Sequence, residues 1–245
     1  MFAVSVMGTG RLAPPMDVGG CAARDDRLYD LEHEVWWLPL PDGSARLGLV
    51  ASFAAFAGPF RELAFRPVSG PVERGRSVAT IESVRLTGAV RAPVALEILE
   101  RNEAVARRPR LLNDASYDGG WVVRARPLDT AAVAIHLAPL AAVRARWEEE
   151  IRARRIRCWP TTAEEELIEI GLECSAVLAH LNEALDRRAP GEAILLVTDD
   201  LTSPIEMVRW SDRTGGVVLA ERREGNLFQF LVARPADARP RRPGA

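Results

Sequence analysis

One cysteine and one arginine stand out as residues at which covalent chemistry can be judged from the side chain alone. Cys174 lies between a predicted strand and a predicted helix, and Arg85 lies within the hairpin-like segment Ala79–Gly88. A thiol at a helix N-terminus faces the positive end of the backbone dipoles, which favours the nucleophilic thiolate. A guanidinium stays protonated at any biological pH and is a poor nucleophile. Cys174 is therefore the candidate for covalent chemistry; the alternative is that Cys174 is a small buried hydrophobe, as most free cysteines are.

The chain has no lysine, because all 32 basic residues among its 245 are arginine. A GC-rich coding bias is the plainest origin of this usage, but its consequence is that no side-chain amine can carry an amide-linked cofactor. The composition, 48% hydrophobic and 27% charged with a net charge of -2, is typical of a soluble globular protein. It gives no electrostatic reason to expect nucleic acid or an anionic membrane as a partner. No segment is long and apolar enough to span a bilayer.

The three cysteines, Cys21, Cys158 and Cys174, are far apart and include no C-x-x-C pair. We therefore expect neither a disulfide framework nor a zinc site, and we predict a reducing, cytoplasmic location. Cys21 and Cys158 are either unreactive or relay sulfur with Cys174. The three histidines have no metal-ligand spacing, so no metal is predicted; they are His33, His136 and His180.

The elements that would position Arg85 are short strands. From Tyr29 to about Arg126, short apolar segments are broken by glycine and proline, a pattern typical of a small β barrel or sandwich. A helix is predicted from about Pro139 to Arg157, with Leu140, Val143, Trp147 and Ile151 on one face. Its arginine-rich end is interpreted as a solvated helix face.

The elements that would position Cys174 alternate between strand and helix from Glu164 onward. The order is βαβαββ, which predicts a two-layer α/β sandwich. Ser203-Pro204-Ile205-Glu206 has the pattern of a capping box at a helix start. Asp199-Asp200 is interpreted as a turn at the end of a strand.

The first part of the chain resembles the H protein of the glycine cleavage system over about residues 28–155. The resemblance rests on these segments: Tyr29-Asp-Leu-Glu-His33-Glu34 followed by Trp36, Ile81-Glu82-Ser83-Val84-Arg85, Asn102-Glu103-Ala104, Pro109 to Asn113, Tyr117, and Gly120-Trp121. It implies a lipoyl-type β barrel-sandwich hybrid with a C-terminal helix. In that family the position of Arg85 is a lipoylated lysine, so lipoate is excluded as a cofactor here. Arg85 is then either a charged residue at the tip of a turn or a contact for an anionic partner.

The second part resembles the small sulfur-carrier family typified by TusA. The matching segments are Leu167-Ile-Glu-Ile-Gly171-Leu172-Glu173-Cys174, Pro190-Gly191-Glu192 and Thr198-Asp199-Asp200. Those carriers hold sulfur as a persulfide on a cysteine within a C-P-x-P motif. Ser175, Ala176 and Val177 follow Cys174 here, so both prolines are missing and the first helical turn is softer.

These observations predict a flexible leader over residues 1–27, an H-protein-like domain over 28–157, a linker over 158–163, a TusA-like domain over 164–234 and a disordered tail over 235–245. The predicted function is a sulfur carrier or sulfur-transfer accessory protein with a persulfide on Cys174. Its partners would be sulfur donor or acceptor proteins. The alternative is an H-protein-like homologue that acts as a non-catalytic interaction or regulatory scaffold. We expect a carrier or accessory protein rather than a stand-alone enzyme.

Overall fold

The chain divides into two compact units, with the boundary between Cys158 and Trp159 in the computed structural model. The structure describes residues 16–67 and 70–234. The predicted tail over 235–245 and the first fifteen residues of the predicted leader lie outside those ranges. Among the helices that are described, none has both the length and the apolar character needed to cross a lipid bilayer.

The first unit is built mainly of strands. Its elements are β1 Met16–Val18, β2 Cys21–Ala23, β3 Leu28–Asp30, β4 Val35–Pro39, β5 Ala45–Leu49, α1 Ala51–Ala57, β6 Phe60–Phe65, β7 Ser77–Ser83, β8 Thr87–Arg91, β9 Leu96–Arg101, α2 Glu103–Arg107, α3 Leu111–Asp114, β10 Trp121–Pro127, α4 Thr130–His136, β11 Ala138–Pro139 and α5 Leu140–Ala153. A six-stranded sheet has the order β11-β3-β4-β5-β10-β9, a three-stranded sheet has the order β6-β7-β8, and β1 pairs with β2.

Alternation along β4 explains how one sheet serves two cores. Side chains of a strand point to opposite faces in turn. Val35 and Trp37 therefore enter a core that the six-stranded sheet shares with Ile81 and Val90 of the three-stranded sheet. Trp36 points the other way, into a second cluster. The two sheets face each other across the first core, as the lipoyl-type prediction requires.

The second cluster is where α5 packs. Trp147 and Ile151 of α5 are buried there with Tyr29 of β3. The Trp147 indole Nε1 donates to the Ser52 hydroxyl at 2.9 Å, so the one polar atom of this large side chain has a partner inside the core. The predicted helix and its apolar face are confirmed, with the helix ending at Ala153 rather than near Arg157.

The prediction of a flexible leader is wrong for residues 16–23. β1 and β2 form an antiparallel hairpin, and Val18, Cys21 and Ala23 are fully or almost fully buried. These small side chains pack in the cluster that also holds the α5 residues. Apolar contact with α5 therefore orders a segment whose glycines and prolines indicated a loose chain.

The prediction that the cysteines form no disulfide is also wrong, because Cys21 and Cys158 are bonded to each other. They are 137 residues apart in sequence, and sequence separation carries no information about distance in space. Arg155 adopts a left-handed backbone with φ 52° just after α5, which turns the chain so that Cys158 returns to β2. The disulfide removes the sequence-based reason for a reducing compartment. It also removes Cys21 and Cys158 as free thiols for a sulfur relay with Cys174.

The second unit contains the elements β12 Ala163–Glu169, α6 Cys174–Asp186, β13 Ala193–Thr198, α7 Ser203–Thr214, β14 Val217–Glu224 and β15 Leu227–Ala233. Its sheet has the order β12-β13-β15-β14, and β12 runs parallel to β13. Leu181 of α6 and Trp210 of α7 share one apolar cluster with Leu196 of β13, so both helices contribute to the same core. Buried Glu169 lies 3.1 Å from Nδ1 of His180, which gives that histidine a structural contact.

The predicted capping box at the start of α7 does not form. Thr202 is the N-cap residue, and Ser203 is already helical. The Ser203 hydroxyl is buried and has no hydrogen-bond partner among residues 16–67 and 70–234, so it does not cap the helix. Asp200 instead accepts hydrogen bonds from the Thr202 backbone N–H and hydroxyl, both at 2.8 Å, which fixes the turn that enters α7.

The disulfide generates the first prediction. A crosslink that closes a loop of 137 residues restricts the unfolded chain, so its removal should lower the free energy of unfolding by about 3–5 kcal/mol. Urea unfolding followed by tryptophan fluorescence should show this loss in Cys21→Ala and in the wild-type chain after reduction. Cys174→Ala, which leaves the disulfide intact, is the matched control. Equal unfolding midpoints for Cys21→Ala and the control would contradict the prediction.

Candidate functional site

The turn between β7 and β8 presents Arg85 at the surface of the first unit. Glu82 pairs with Thr87 at the end of the two strands, and Ser83 holds the turn together. The Ser83 hydroxyl donates to the carbonyl of Leu86 at 3.1 Å and accepts from the backbone N–H of Leu86 at 3.1 Å and of Arg85 at 3.3 Å. The turn is therefore fixed by its own hydrogen bonds, and the side chain of Arg85 leaves it from a defined position.

The guanidinium of Arg85 folds back onto the end of α1. Its Nη1 donates to the carbonyl oxygens of Ala55 and Phe56, at 3.4 and 3.3 Å. The last carbonyls of a helix have no partner within the helix, and a positive charge there is favoured by the helix dipole. Gly58, with φ 73°, ends α1, and the Arg85 side-chain stem passes over it. Arg85 therefore caps α1 as well as carrying charge at the surface.

Asn113 of α3 fixes the same helix end from a second direction. Its Nδ2 donates to the carbonyls of Ala54 and Gly58 at 3.2 and 2.9 Å, and its Oδ1 accepts from the backbone N–H of Phe60 at 3.0 Å. The hairpin tip and α3 thus meet at one structural point. The position of Arg85 relative to the rest of the unit depends on these bonds.

A second guanidinium lies beside this helix end. Arg154 stacks over the ring of Phe56, 4.3 Å from its centroid, and forms an ion pair with Glu34. Phe56 is 39% exposed, and Val84 in the turn is 56% exposed. The surface around the hairpin tip therefore combines exposed apolar side chains with the charges of Arg85 and Arg154. We call Val84, Arg85, Phe56 and Arg154 the hairpin-tip surface.

Two other residues of the segments that carry the H-protein resemblance, Asn102 and Tyr117, make contacts that stabilise the fold. Asn102 caps α2 by accepting from the backbone N–H of Ala104 at 3.1 Å, and its Nδ2 donates to the carbonyl of Trp121 at 2.7 Å. The Tyr117 hydroxyl donates to the carbonyl of Ala22 at 2.9 Å, and burial raises the pKa of this phenol above its ordinary value. The described contacts of both residues are structural.

One group of side chains in the described ranges is compact enough to suggest a metal site. Ligand atoms of Asp30, Glu32 and His33 lie within 4.8 Å of one another. However, Nη2 of Arg74 lies 2.6 Å from a Glu32 oxygen and 3.7 Å from an Asp30 oxygen, so a cation already pairs with both carboxylates. His33 Nδ1 lies 2.7 Å from Asp30 Oδ2, the same oxygen that faces Arg74. The Arg74 hydrogen bond lowers the pKa of Glu32, as expected for an ion pair.

Cys174 is the first residue of α6 and is a free, half-buried thiol. The sequence prediction of a helix start at this residue is confirmed. Cys174 follows β12 and Asp200 follows β13, and because these strands are parallel, the segments after them emerge at the same edge of the sheet. This topology brings a carboxylate towards the thiol.

The electrostatics of Cys174 differ from the sequence-based expectation. Burial raises the pKa of the thiol, and the negative charges of Asp200 and Glu206 raise it further, while a hydrogen bond with Thr202 and the charge of Arg213 oppose this. The helix N-terminus alone favours a thiolate, whereas burial and the two carboxylates favour the protonated thiol. The pKa of the Cys174 thiol is therefore raised, in the direction opposite to the one that a helix start alone favours.

Several residues of these sites have no role that the sequence alone assigns. The sequence pattern places Arg154 on a solvated helix face and Glu206 in a capping box. The signal that could have placed Asp200 beside Cys174 is the predicted βαβ order, since consecutive parallel strands end at the same sheet edge. No comparable signal points from Asn113 to the end of α1, because they are more than fifty residues apart.

The known proteins to which this chain is similar match its first unit. Residues 27–150 fit the sequence pattern described as "Glycine cleavage H-protein". The chain is 39% identical to glycine cleavage system H protein 5 of Aquifex aeolicus, over 45% of this chain and 77% of that protein. It is 33% identical to H protein 2 of the same organism, over 44% of this chain and 67% of that protein.

A solved structure adds a spatial comparison. The crystal structure of a glycine cleavage system H protein from Mycobacterium marinum superposes with a TM-score of 0.45 and 22% identity, covering 51% of this chain and 98% of that one. The family match begins at residue 27 and ends at residue 150, so Cys174 lies outside it, and so do Cys21 and Cys158 of the disulfide.

The environment of Cys174 generates the second prediction. Removing the carboxylate charges in Asp200→Asn/Glu206→Gln should lower the thiol pKa and speed alkylation by iodoacetamide at neutral pH about two- to tenfold. Alkylation rates measured against pH by intact mass would show the midpoint moving to lower pH. Glu183→Gln, an exposed residue more than two turns along α6, is the control. An unchanged midpoint in the double variant would show that the carboxylates do not control this thiol.

Proposed function

The chain belongs to the glycine cleavage H-protein family through residues 27–150, and we propose that it acts as an unlipoylated, non-catalytic docking scaffold of that family. The observation that carries this proposal is Arg85. The resemblance places the lipoyl-lysine at this position, and a chain without lysine offers no other side-chain amine. A guanidinium is not acylated under biological conditions.

The contacts of Arg85 support a structural role for the hairpin tip. A lipoylated lysine would carry its cofactor on a long flexible stem, whereas Arg85 is held against α1 by hydrogen bonds to Ala55 and Phe56. The tip therefore presents a fixed positive charge next to exposed Val84 and Phe56. Such a surface suits a partner with complementary carboxylates and apolar side chains. Binding would use the shape of an H-protein hairpin without transferring a group.

The third prediction concerns docking and its loss. In a reconstituted glycine cleavage reaction that uses a lipoylated H protein, an excess of the wild-type chain should lower the rate, because it competes for the surface that recognises the hairpin. Val84→Asp, which places a charge in the apolar part of the hairpin-tip surface, should relieve most of this inhibition. Ile135→Asp is the matched control, because Ile135 is 74% exposed and lies on α4 rather than on that surface.

A separate assay tests whether the β7–β8 hairpin keeps the shape that a lipoyl ligase recognises. Arg85→Lys should become a substrate for a lipoyl ligase, with the added mass seen by intact mass spectrometry, while the wild-type chain gains none. Arg91→Lys, at the end of β8 rather than in the turn, should also gain none. Two results together would contradict the proposal: the wild-type chain does not inhibit the reaction, and the Arg85→Lys variant does not accept lipoate.

A second candidate function is a sulfur carrier, and the position of Cys174 favours it. A free, half-buried thiol begins α6 at the edge where the parallel strands β12 and β13 end, in a unit that resembles TusA. The Cys174 thiolate would attack the outer sulfur of a donor cysteine persulfide. The donor S–S bond breaks, the donor leaves as a thiolate, and Cys174 carries the new persulfide. Sulfur donor and acceptor proteins would be the partners.

The fourth prediction tests this transfer. After incubation with a cysteine desulfurase and cysteine, intact mass should show one added sulfur that is lost in Cys174→Ala. Because the thiol pKa is raised, the amount formed in a fixed time should increase as the pH rises above neutral. Cys174→Ser is the isosteric control, and a sulfur adduct in either variant would assign the acceptor elsewhere. No adduct in the wild-type chain at any pH would exclude the carrier function.

A further inference from the structure

The two cysteines of the disulfide in the first unit differ in burial. Cys21 is 1% exposed inside the cluster that also holds the α5 residues, whereas Cys158 is half-buried and packs against that cluster. In thiol–disulfide exchange, access decides which sulfur is attacked. A thiolate from solution therefore attacks the sulfur of Cys158, and Cys21 is the leaving group.

Strained backbone lies close to this disulfide in the chain. Among residues 16–67 and 70–234, Glu34 and Arg155 are the non-glycine residues with a left-handed backbone, at φ 57° and 52°. They belong to one contact, because Glu34 forms an ion pair with Arg154, which directly precedes Arg155. This conformation is costly for a residue with a side chain, so it persists only where surrounding contacts hold it, and such residues cluster in switch regions and ligand clamps. An ion pair of the hairpin-tip surface is therefore flanked by backbone that depends on its restraints.

The disulfide supplies one of these restraints. Cys158 lies three residues after Arg155, and its bond to the other cysteine fixes the chain where it leaves α5. The sulfur of Cys158 lies 3.9 Å from the carbonyl oxygen of Ala51, the first residue of α1. Glu34 is held at the same end of α1, because its carbonyl accepts a hydrogen bond from the backbone N–H of Val50 at 3.0 Å. The disulfide and both strained residues thus restrain one part of the unit, where the end of α5 meets the start of α1.

We propose that the Cys21–Cys158 disulfide is a redox switch for the hairpin-tip surface and that a protein dithiol opens it. This inference rests on the docking function proposed for that surface. With the disulfide closed, the turn at Arg155 holds the guanidinium of Arg154 over the ring of Phe56, 4.3 Å from its centroid. With the disulfide open, the turn is free to leave the left-handed conformation, and Arg154 loses this fixed position. The oxidised chain is therefore the form that docks.

The chemistry of opening favours a dithiol over a monothiol. A thiolate of the reductant attacks the sulfur of Cys158, the S–S bond breaks, and Cys21 leaves as a thiolate that takes up a proton. Cys21 stays packed beside the mixed disulfide, so it attacks back and expels a monothiol. A dithiol competes with this return, because its second thiolate attacks its own neighbouring sulfur. Cys158 then leaves as a thiolate and is protonated, and the reductant, which has supplied both electrons, becomes a disulfide.

The fifth prediction measures the opening in a Cys174→Ala chain, whose remaining cysteines are Cys21 and Cys158. Thioredoxin, kept reduced by its reductase and NADPH, should open the disulfide, so that N-ethylmaleimide in denaturant labels both thiols by intact mass. Glutathione at the same thiol concentration should act at least about tenfold more slowly. A thioredoxin without its second thiol should be trapped on Cys158 in peptide maps. The proposal is overturned by a disulfide that thioredoxin leaves closed, by a trapped bond to Cys21, or by equal rates with glutathione.

Hydrogen exchange separates local opening from a general loss of stability. In a labelling pulse of seconds, amides of residues 154–158 and of α1 should exchange at least about tenfold faster after reduction, while those of β4 and β5 stay protected. The permanently open Cys21→Ser/Cys174→Ala chain should show the same pattern without a reductant. Faster exchange throughout the first unit, or none at 154–158, would overturn the switch.

The inhibition assay of the third prediction then tests docking. The Cys21→Ser/Cys174→Ala chain should inhibit at least about threefold less than the oxidised Cys174→Ala chain, because Arg154 is no longer held in the surface. Cys158→Ser/Cys174→Ala is a second open chain, used if circular dichroism shows that the first is misfolded. Equal inhibition by open and oxidised chains would overturn the redox control. If the oxidised chain does not inhibit, the docking function fails, and hydrogen exchange alone decides whether the disulfide controls this surface.

Discussion

The carboxyl end of α1 is the point on which the arrangement of the first unit depends. A helix end leaves carbonyl oxygens without partners, and here side chains from two distant segments satisfy them. Asn113 binds Ala54 and Gly58, and Arg85 binds Ala55 and Phe56. Because one of those segments is the β7–β8 turn, the cap also sets where the hairpin tip lies. Arg85, at the position where the resemblance implies a lysine, thus helps to hold the hairpin tip against α1.

Features of this unit that are set by neighbouring residues could be predicted from the sequence, whereas contacts between distant residues could not. The β7–β8 hairpin follows from a short apolar strand and a polar turn, and both are visible in the sequence. Helix α1 carries no such signal, and its first residues continue the apolar pattern of the preceding strand. Its seven residues are too few to show a helical period, and Val50 at its N-cap provides no side-chain hydrogen bond that would mark a start. The cap on its other end and the Cys21–Cys158 bond join residues that only the folded chain brings together.

The second unit shows the same division at Cys174. The apolar stripe of α6 predicts its helix, and the cysteine is correctly placed at its start. The sign of the pKa shift is not predictable from that position alone, because a helix dipole is only one of several effects on the thiol. Burial and the charges of Asp200 and Glu206 act in the opposite direction. Those carboxylates follow β13 and lie in α7, so their influence depends on the parallel pairing of β12 with β13.

Glu206 connects the thiol to the ion pairs of α7. Its negative charge raises the pKa of Cys174, and the same carboxylate pairs with Arg209 of its own helix. The charge that acts on the thiol therefore comes largely from α7 and the turn before it, rather than from α6, which Cys174 begins. The reactivity of this cysteine is thus set by how the two segments that follow the parallel strands β12 and β13 meet at one edge of the sheet.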